Sequence, residues 1–152
     1  MELYLIQHGQ AVAEEIDPNR PLTDCGRAEV RRVAQAAAEH GVAVRTVCHS
    51  GKRRAVETAA ILAEEVARGQ SPEKMAGLAP KDDPRRTAEA VEAMEEPVAL
   101  VGHLPHLSRL VSVLVVDDPD REIVAFRQGG LVKLVRDERW RVDWILVPEL
   151  AG

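Results

Sequence analysis

Three short apolar runs constrain this chain most: Leu3-Tyr4-Leu5-Ile6, Thr46-Val47-Cys48 and Val98-Ala99-Leu100-Val101. Each has the length and β-forming content of a buried strand, and each stops beside a histidine. The stops read Gln7-His8-Gly9, His49-Ser50 and Gly102-His103. Helical patterns separate the runs. Strands alternating with helices imply a largely parallel sheet with right-handed crossovers and helices on both faces. In such a sheet the carboxyl ends of the strands share one rim, where ligands bind. The pattern therefore delivers several polar side chains to one rim.

The helical segments carry their own punctuation. Thr23-Asp24 predicts a helix start; Val30, Val33, Ala34 and Ala37 recur at helical spacing, and Gly41 is a stop. Ser50 predicts a cap for the next helix, whose apolar face includes Ala55, Thr58, Ala59 and Leu62. Met75 to Leu78 reads as a short strand, and Lys81-Asp82-Asp83-Pro84 begins a helix running to about Met94. Pro105 opens a helix through Leu107, Leu110, Val111 and Leu114. The tail predicts three strands, at 123–126, 131–135 and 140–147, with turns at Gly129-Gly130 and Asp137-Glu138. Trp140 and Trp144 share strand parity, which predicts that both cover one sheet face. The expectation is one α/β domain over 1–152: three layers, α/β/α, with a mostly parallel central sheet and antiparallel edge strands.

Bulk composition narrows the function. The chain has 152 residues, 45% apolar and 30% charged, enough for one folded core. A formal net charge of −5 gives no general attraction for nucleic acid or an anionic membrane, so neither is an expected partner. Aromatics at 3% argue against a base-stacking surface and leave Ala, Leu and Val to form the core. No stretch approaches the roughly 20 apolar residues that span a bilayer. The N-terminus has no basic segment leading into a longer apolar run, and Cys25 and Cys48 read as reduced thiols. Those features predict a cytoplasmic protein. Cys48-His49 and His103-Leu104-Pro105-His106 lack zinc-site spacing, so no metal or other cofactor is expected; His106 is expected at the pocket rim.

The segment Ser50-Gly51-Lys52-Arg53-Arg54 puts three cations where a helix begins. Positive charge there opposes the helix dipole unless an anion compensates, and first-turn N–H groups suit a phosphate. An exposed basic face is the plain alternative.

Taken together, these segments resemble the histidine phosphatase superfamily (the phosphoglycerate mutase-like fold), in particular its short SixA-type phosphohistidine phosphatases. Leu3-Tyr4-Leu5-Ile6-Gln7-His8-Gly9-Gln10-Ala11 looks like the family's Arg-His-Gly motif. Pro21-Leu22-Thr23-Asp24-Cys25-Gly26 is similar to its Pro-Leu-Thr-x-x-Gly start of the first helix. Ser50 to Ala59 resembles its Ser-x-x-x-Arg-Ala-x-x-Thr motif, and Val101-Gly102-His103-Leu104-Pro105 its second-histidine motif. The resemblance implies that His8 attacks phosphorus in line and carries the phosphoryl group until water removes it. It implies Arg54 and His103 as clamps on the equatorial oxygens, with Gln7 and Gly9 beside the substrate. The implied partner is a phosphohistidine-bearing protein such as a phosphotransfer domain. A small phosphate ester, or a binding module with little turnover, are the alternatives.

Two departures matter. Gln7 stands where the motif has arginine, and it brings neither charge nor a guanidinium fork. Replacing a charge-assisted hydrogen bond of roughly 1.5–3 kcal/mol by a neutral one of about 1 costs about tenfold in transition-state binding. Lys52 or Arg53 are the residues expected to compensate. The second departure is the general acid. Asp82, Asp83 and Glu89 lie in the relevant stretch, with nothing to choose among them. Phosphohistidine relaxes that need, because imidazole, with a conjugate acid of pKa about 6.5, leaves far more readily than an alkoxide.

Overall fold

The computed structural model describes residues 1–152. Six strands form one sheet: β1 (Glu2–Gln7), β2 (Thr46–His49), β3 (Glu73–Lys74), β4 (Val98–Gly102), β5 (Leu131–Arg136) and β6 (Trp140–Leu146). Their order is β3-β2-β4-β1-β5-β6. The first four run parallel, and β5 and β6 close one edge antiparallel. The helices are α1 (Asp24–Glu39), α2 (Arg53–Val66), α3 (Pro84–Glu92) and α4 (His106–Val116), and a short 3₁₀ turn follows at Pro148–Leu150.

Strand alternation sorts the core into two layers. Tyr4, Ile6, Val47, Ala99 and Val101 point to one face, where they meet Val33, Ala34 and Ala37 of α1 and Ala55, Ala59 and Leu62 of α2. Leu3, Leu5, Val98 and Leu100 point to the other, against Val91 of α3 and Leu107, Leu110 and Val111 of α4. The alanines let α1 and α2 lie close to the sheet, and the leucines fill the wider opposite layer. Each fully buried leucine contributes about 1.5–3 kcal/mol relative to exposure. The three-layer fold with antiparallel edge strands is the expected one.

Thr23 caps α1 by accepting the Gly26 N–H at 2.9 Å, and Asp83 caps α3 from before Pro84. Four local expectations need correction. Ser50 is not a cap: α2 starts at Arg53 behind Lys52, with no side-chain cap, because the Ser50 hydroxyl turns to His103. The third parallel strand is Glu73–Lys74 and not Met75 to Leu78; it ends at Lys74, and Leu78 is buried in the loop beyond it. Residues 123–126 form no strand, since β5 takes the only free side of β1 and β6 the next edge.

The tryptophans lie on opposite faces. Lys133 pairs with Trp144 but Leu134 with Val142, so Asp143 is an extra residue that reverses the parity of β6. Trp140 joins the α3/α4 layer, and Trp144 meets Tyr4 in the other, with ring centroids 6.1 Å apart.

Candidate active site

His8 follows β1 and His103 follows β4, and these strands are parallel neighbours with Gln7 opposite Gly102. The two imidazoles therefore meet above the rim, with centroids 5.1 Å apart and planes 49° apart. Both are buried, at 7% and 2% exposure. Ser50, after β2 on the far side of β4, adds its hydroxyl 2.6 Å from His103 Nε2 and accepts the Lys52 N–H. Arg54 enters from the first turn of α2, half-buried, with its Nε unpartnered.

The backbone fixes the state of His8. Its Nδ1–H donates to the Gly9 carbonyl at 2.8 Å, which leaves the lone pair on Nε2. Gly9 is held in turn, because its N–H donates to Thr58 Oγ1 at 3.0 Å while the Thr58 hydroxyl donates to the Arg54 carbonyl at 2.8 Å. Thr58 thus ties the His8 loop to the turn of α2 that carries Arg54. A side chain at Gly9 would run into Val30 of α1, and one at Gly26 into the Gln10 carbonyl. The two glycines allow β1 and α1 to close on each other.

Burial pushes His8 down to about 4, against the lift of the Gly9 hydrogen bond, and the Arg54 and Arg20 charges push it further. Burial likewise takes His103 to about 3, with His8, Arg54, Lys52 and His106 adding to the effect. Burial and then Arg20 lower Arg54. Both imidazoles are therefore neutral at neutral pH. The charged groups that act most on His8 and His103 are cations, with Arg54 acting on both. In a chain of net charge −5, that concentration suits an anion beside an unprotonated ring nitrogen.

The structure brings His8, Arg54 and His103 together, with Gln7 and Gly9 as the chain neighbours of His8 at the rim. Gln7 is 9% exposed, and its Oε1 has no hydrogen-bond partner. Gly9 contributes its carbonyl to His8, and its N–H is already taken by Thr58. Asp82, Asp83 and Glu89 do not join the cluster. Asp82 accepts from the Ala79 N–H, Asp83 caps α3, and Glu89 is exposed. His106 lies inside and not at the rim: it is 1% exposed, with Nε2 2.9 Å from Thr87 Oγ1. Arg53 is held by Glu57 at 2.9 Å and so is not free to compensate for Gln7. Sequence reasoning missed the tether at Thr58. The four-residue spacing of Arg54 and Thr58, which puts them on one helix face, was the available signal for Thr58.

Residues 3–82 match the family described as histidine phosphatase superfamily (branch 1). The chain belongs to that superfamily. Membership places it among phosphatase hydrolases. It superposes on the protein histidine phosphatase SixA complexed with tungstate with a TM-score of 0.85 at 24% identity, over 97% of both chains. A candidate phosphohistidine phosphatase SixA from Agrobacterium tumefaciens gives a TM-score of 0.79 at 24% identity, again over 97% of both. The α-ribazole phosphatase of Shigella flexneri gives 0.76 at 15%, also over 97% of both. At these identities the shared feature is the fold. Comparison with curated proteins gives no match.

Proposed function

We propose that this histidine phosphatase hydrolyses phosphohistidine on a protein partner through a phosphorylated His8. The observation that supports the reading is the arrangement of charge: Arg54 acts on both His8 and His103, while Asp83 caps α3 and Asp82 accepts from the Ala79 N–H. An alkoxide leaving group needs a proton donor in the site, whereas an imidazole leaving group can take its proton from solvent on its distal nitrogen, with a pKa of about 6.5. The tungstate-bound SixA adds support, since tungstate is a tetrahedral oxyanion like phosphate.

His8 Nε2 attacks phosphorus in line, a new P–N bond forms, and the P–N bond to the substrate histidine breaks. The departing ring takes its proton from solvent. Water then attacks phosphorus, the P–N bond to His8 breaks with its electron pair returning to Nε2, the water gives up a proton to solvent, and inorganic phosphate leaves. Arg54 and His103 hold the non-bridging oxygens, which is the positioning and charge that phosphoryl transfer demands. A phosphoryl dianion between the imidazoles reverses the field on His103 and raises its proton affinity, so that it donates to the bound oxygen. The tethers from Gly9 to Thr58 and from His8 to the Gly9 carbonyl keep the nucleophile aimed before substrate arrives.

The test compares loss of phosphate from a phosphohistidine-bearing phosphotransfer domain with cleavage of a phosphate monoester at equal concentration. The proposal expects the first to be at least about 100-fold faster, and His8→Ala to abolish both, as loss of a nucleophile does. Preference for the ester, or unchanged activity in His8→Ala, overturns it.

A further inference from the structure

The turn that leads from β2 into α2 has two sides, and the catalytic cluster uses one of them. On the inner side the Ser50 hydroxyl lies 2.6 Å from His103 Nε2. The outer side is covered by a lysine that belongs to none of the motifs, Lys74 at the end of β3. β2 and β3 run parallel with Lys74 opposite His49, so the two side chains leave the sheet on one face. Gly51 follows with φ +91°, and a Cβ there would stand 2.8 Å from Lys74 Cε and 3.3 Å from its Nζ. The glycine thus leaves room for the lysine stem, and the ammonium rests on the turn next to Ser50.

The turn is fastened beneath that stem. The Gly51 N–H donates to His49 Nδ1 at 3.0 Å, and the Lys52 N–H donates to Ser50 Oγ at 3.3 Å. His49 is buried, and burial first and then the Lys74 charge lower its affinity for a proton, so the charge on this side is the lysine's. Glu73 does not cancel it, because strand alternation sends that side chain to the opposite face, where its register partner Cys48 joins the α3/α4 layer. Other surface cations are committed: Arg53 to Glu57, Arg31 to Glu64, and Lys133 to Glu2 and Asp143. Lys74 is exposed and takes part in no ion pair. Its stem is already pinned against the turn, so pairing with an outside carboxylate costs less side-chain entropy than it does for a free lysine.

We propose that Lys74 is a docking residue for the protein that carries the phosphohistidine: it receives a carboxylate standing one helical turn from the phosphorylated side chain. The inference rests on the phosphatase reading for the identity of the partner, but the contact it names is with the partner's own side chain and not with the phosphoryl group. In the sheet β2 lies between β3 and β4, so Lys74 stands two strand spacings, about 10 Å, from the strand that delivers His103. Side chains one turn apart on a helix start about 5–6 Å from each other and splay outward, which suits that separation. The imidazole pair and the lysine would then read two groups of one helix. Neutral Gln7 leaves the first of these contacts weaker in charge, and Lys74 adds attraction outside it.

The probe is a helical peptide carrying phosphoryltriazolylalanine, a phosphohistidine mimic that resists hydrolysis, with glutamate or glutamine four residues before or after it. Calorimetric binding to wild type and to Lys74→Met forms a double-mutant cycle at each position. One of the two glutamate peptides is expected to bind wild type about 2–5-fold more tightly than its glutamine counterpart, the size of an exposed ion pair, and Lys74→Met is expected to remove that preference. Lys74→Glu is expected to reverse it. Turnover of phosphoramidate, a small P–N substrate with no flanking carboxylate, should stay within about twofold of wild type in Lys74→Met.

Coupling below about twofold at both positions overturns the proposal, as does failure of wild type to bind any of the peptides. A kcat/KM for phosphoramidate that falls in Lys74→Met as far as peptide affinity does overturns it too, since the lysine would then act on the phosphoryl group itself. Coupling in the peptides without turnover of a phosphohistidine-bearing phosphotransfer domain refutes the proposed activity and supports the docking contact.

Discussion

His8 and His103 are kept neutral by burial, with pKa values of about 4 and about 3 against an ordinary 6.5. In the unfolded chain both are free imidazoles. As pH falls through the unfolded value, the unfolded state takes up two protons that the folded state refuses. Their contribution is therefore fully present above about pH 6.5 and is lost as pH falls toward the folded values. At about pH 5 linkage gives about 2 kcal/mol per histidine, a figure set by the unfolded pKa and insensitive to the folded one below about 4.5. The two together reach about 4 kcal/mol, a large share of the 5–15 kcal/mol typical of a domain, with screening at the pocket mouth making this an upper value. Urea denaturation at about pH 7.5 and about pH 5 measures the loss in wild type, His8→Asn and His103→Asn. Carboxylate protonation is common to all three, so each variant should lose about 2 kcal/mol less than wild type across that interval. Vanadate should shrink the wild-type loss, because an anion raises both histidines. The reasoning is refuted if the variants lose as much as wild type, or if an NMR titration places either ring above about pH 6.

Thr58→Val removes the acceptor of the buried Gly9 N–H and should cost about 1–3 kcal/mol, read as a lower urea midpoint, together with a fall in kcat as the His8 loop loosens. Gly26→Ala drives a methyl group into the Gln10 carbonyl and should cost about 1–3 kcal/mol through displacement of α1, again read from the denaturation midpoint.

The sheet and its rim were legible because hydrophobic period and strand length act locally, and the residues at the rim follow directly from where each run stops. His8 and His103 were visible for that reason, while Arg54 was picked out from its two basic neighbours by the family resemblance alone. Features that depend on a second segment were not. The Asp143 bulge exists only against β5, and it turned a correct parity rule into a wrong placement of Trp144. Ser50 has the side chain of a helix cap, but the hydroxyl has a better partner in His103 from another strand. The Gly9 carbonyl as tautomer lock was equally hidden, since a backbone acceptor leaves no trace in side-chain identity.

The ladder between β1 and β4 extends one step past the strands, where the His8 N–H donates to the Gly102 carbonyl at 3.1 Å. The separation of the two imidazoles, 5.1 Å, is thereby one lattice repeat of a β-sheet, about 4.8 Å. The gap that must admit a phosphoryl group is a ruler graduated by backbone hydrogen bonds, which no side-chain substitution elsewhere can rescale. Loops are the adjustable jaws on that ruler. Divergence in such a protein should collect in the loops while the two histidines keep their spacing.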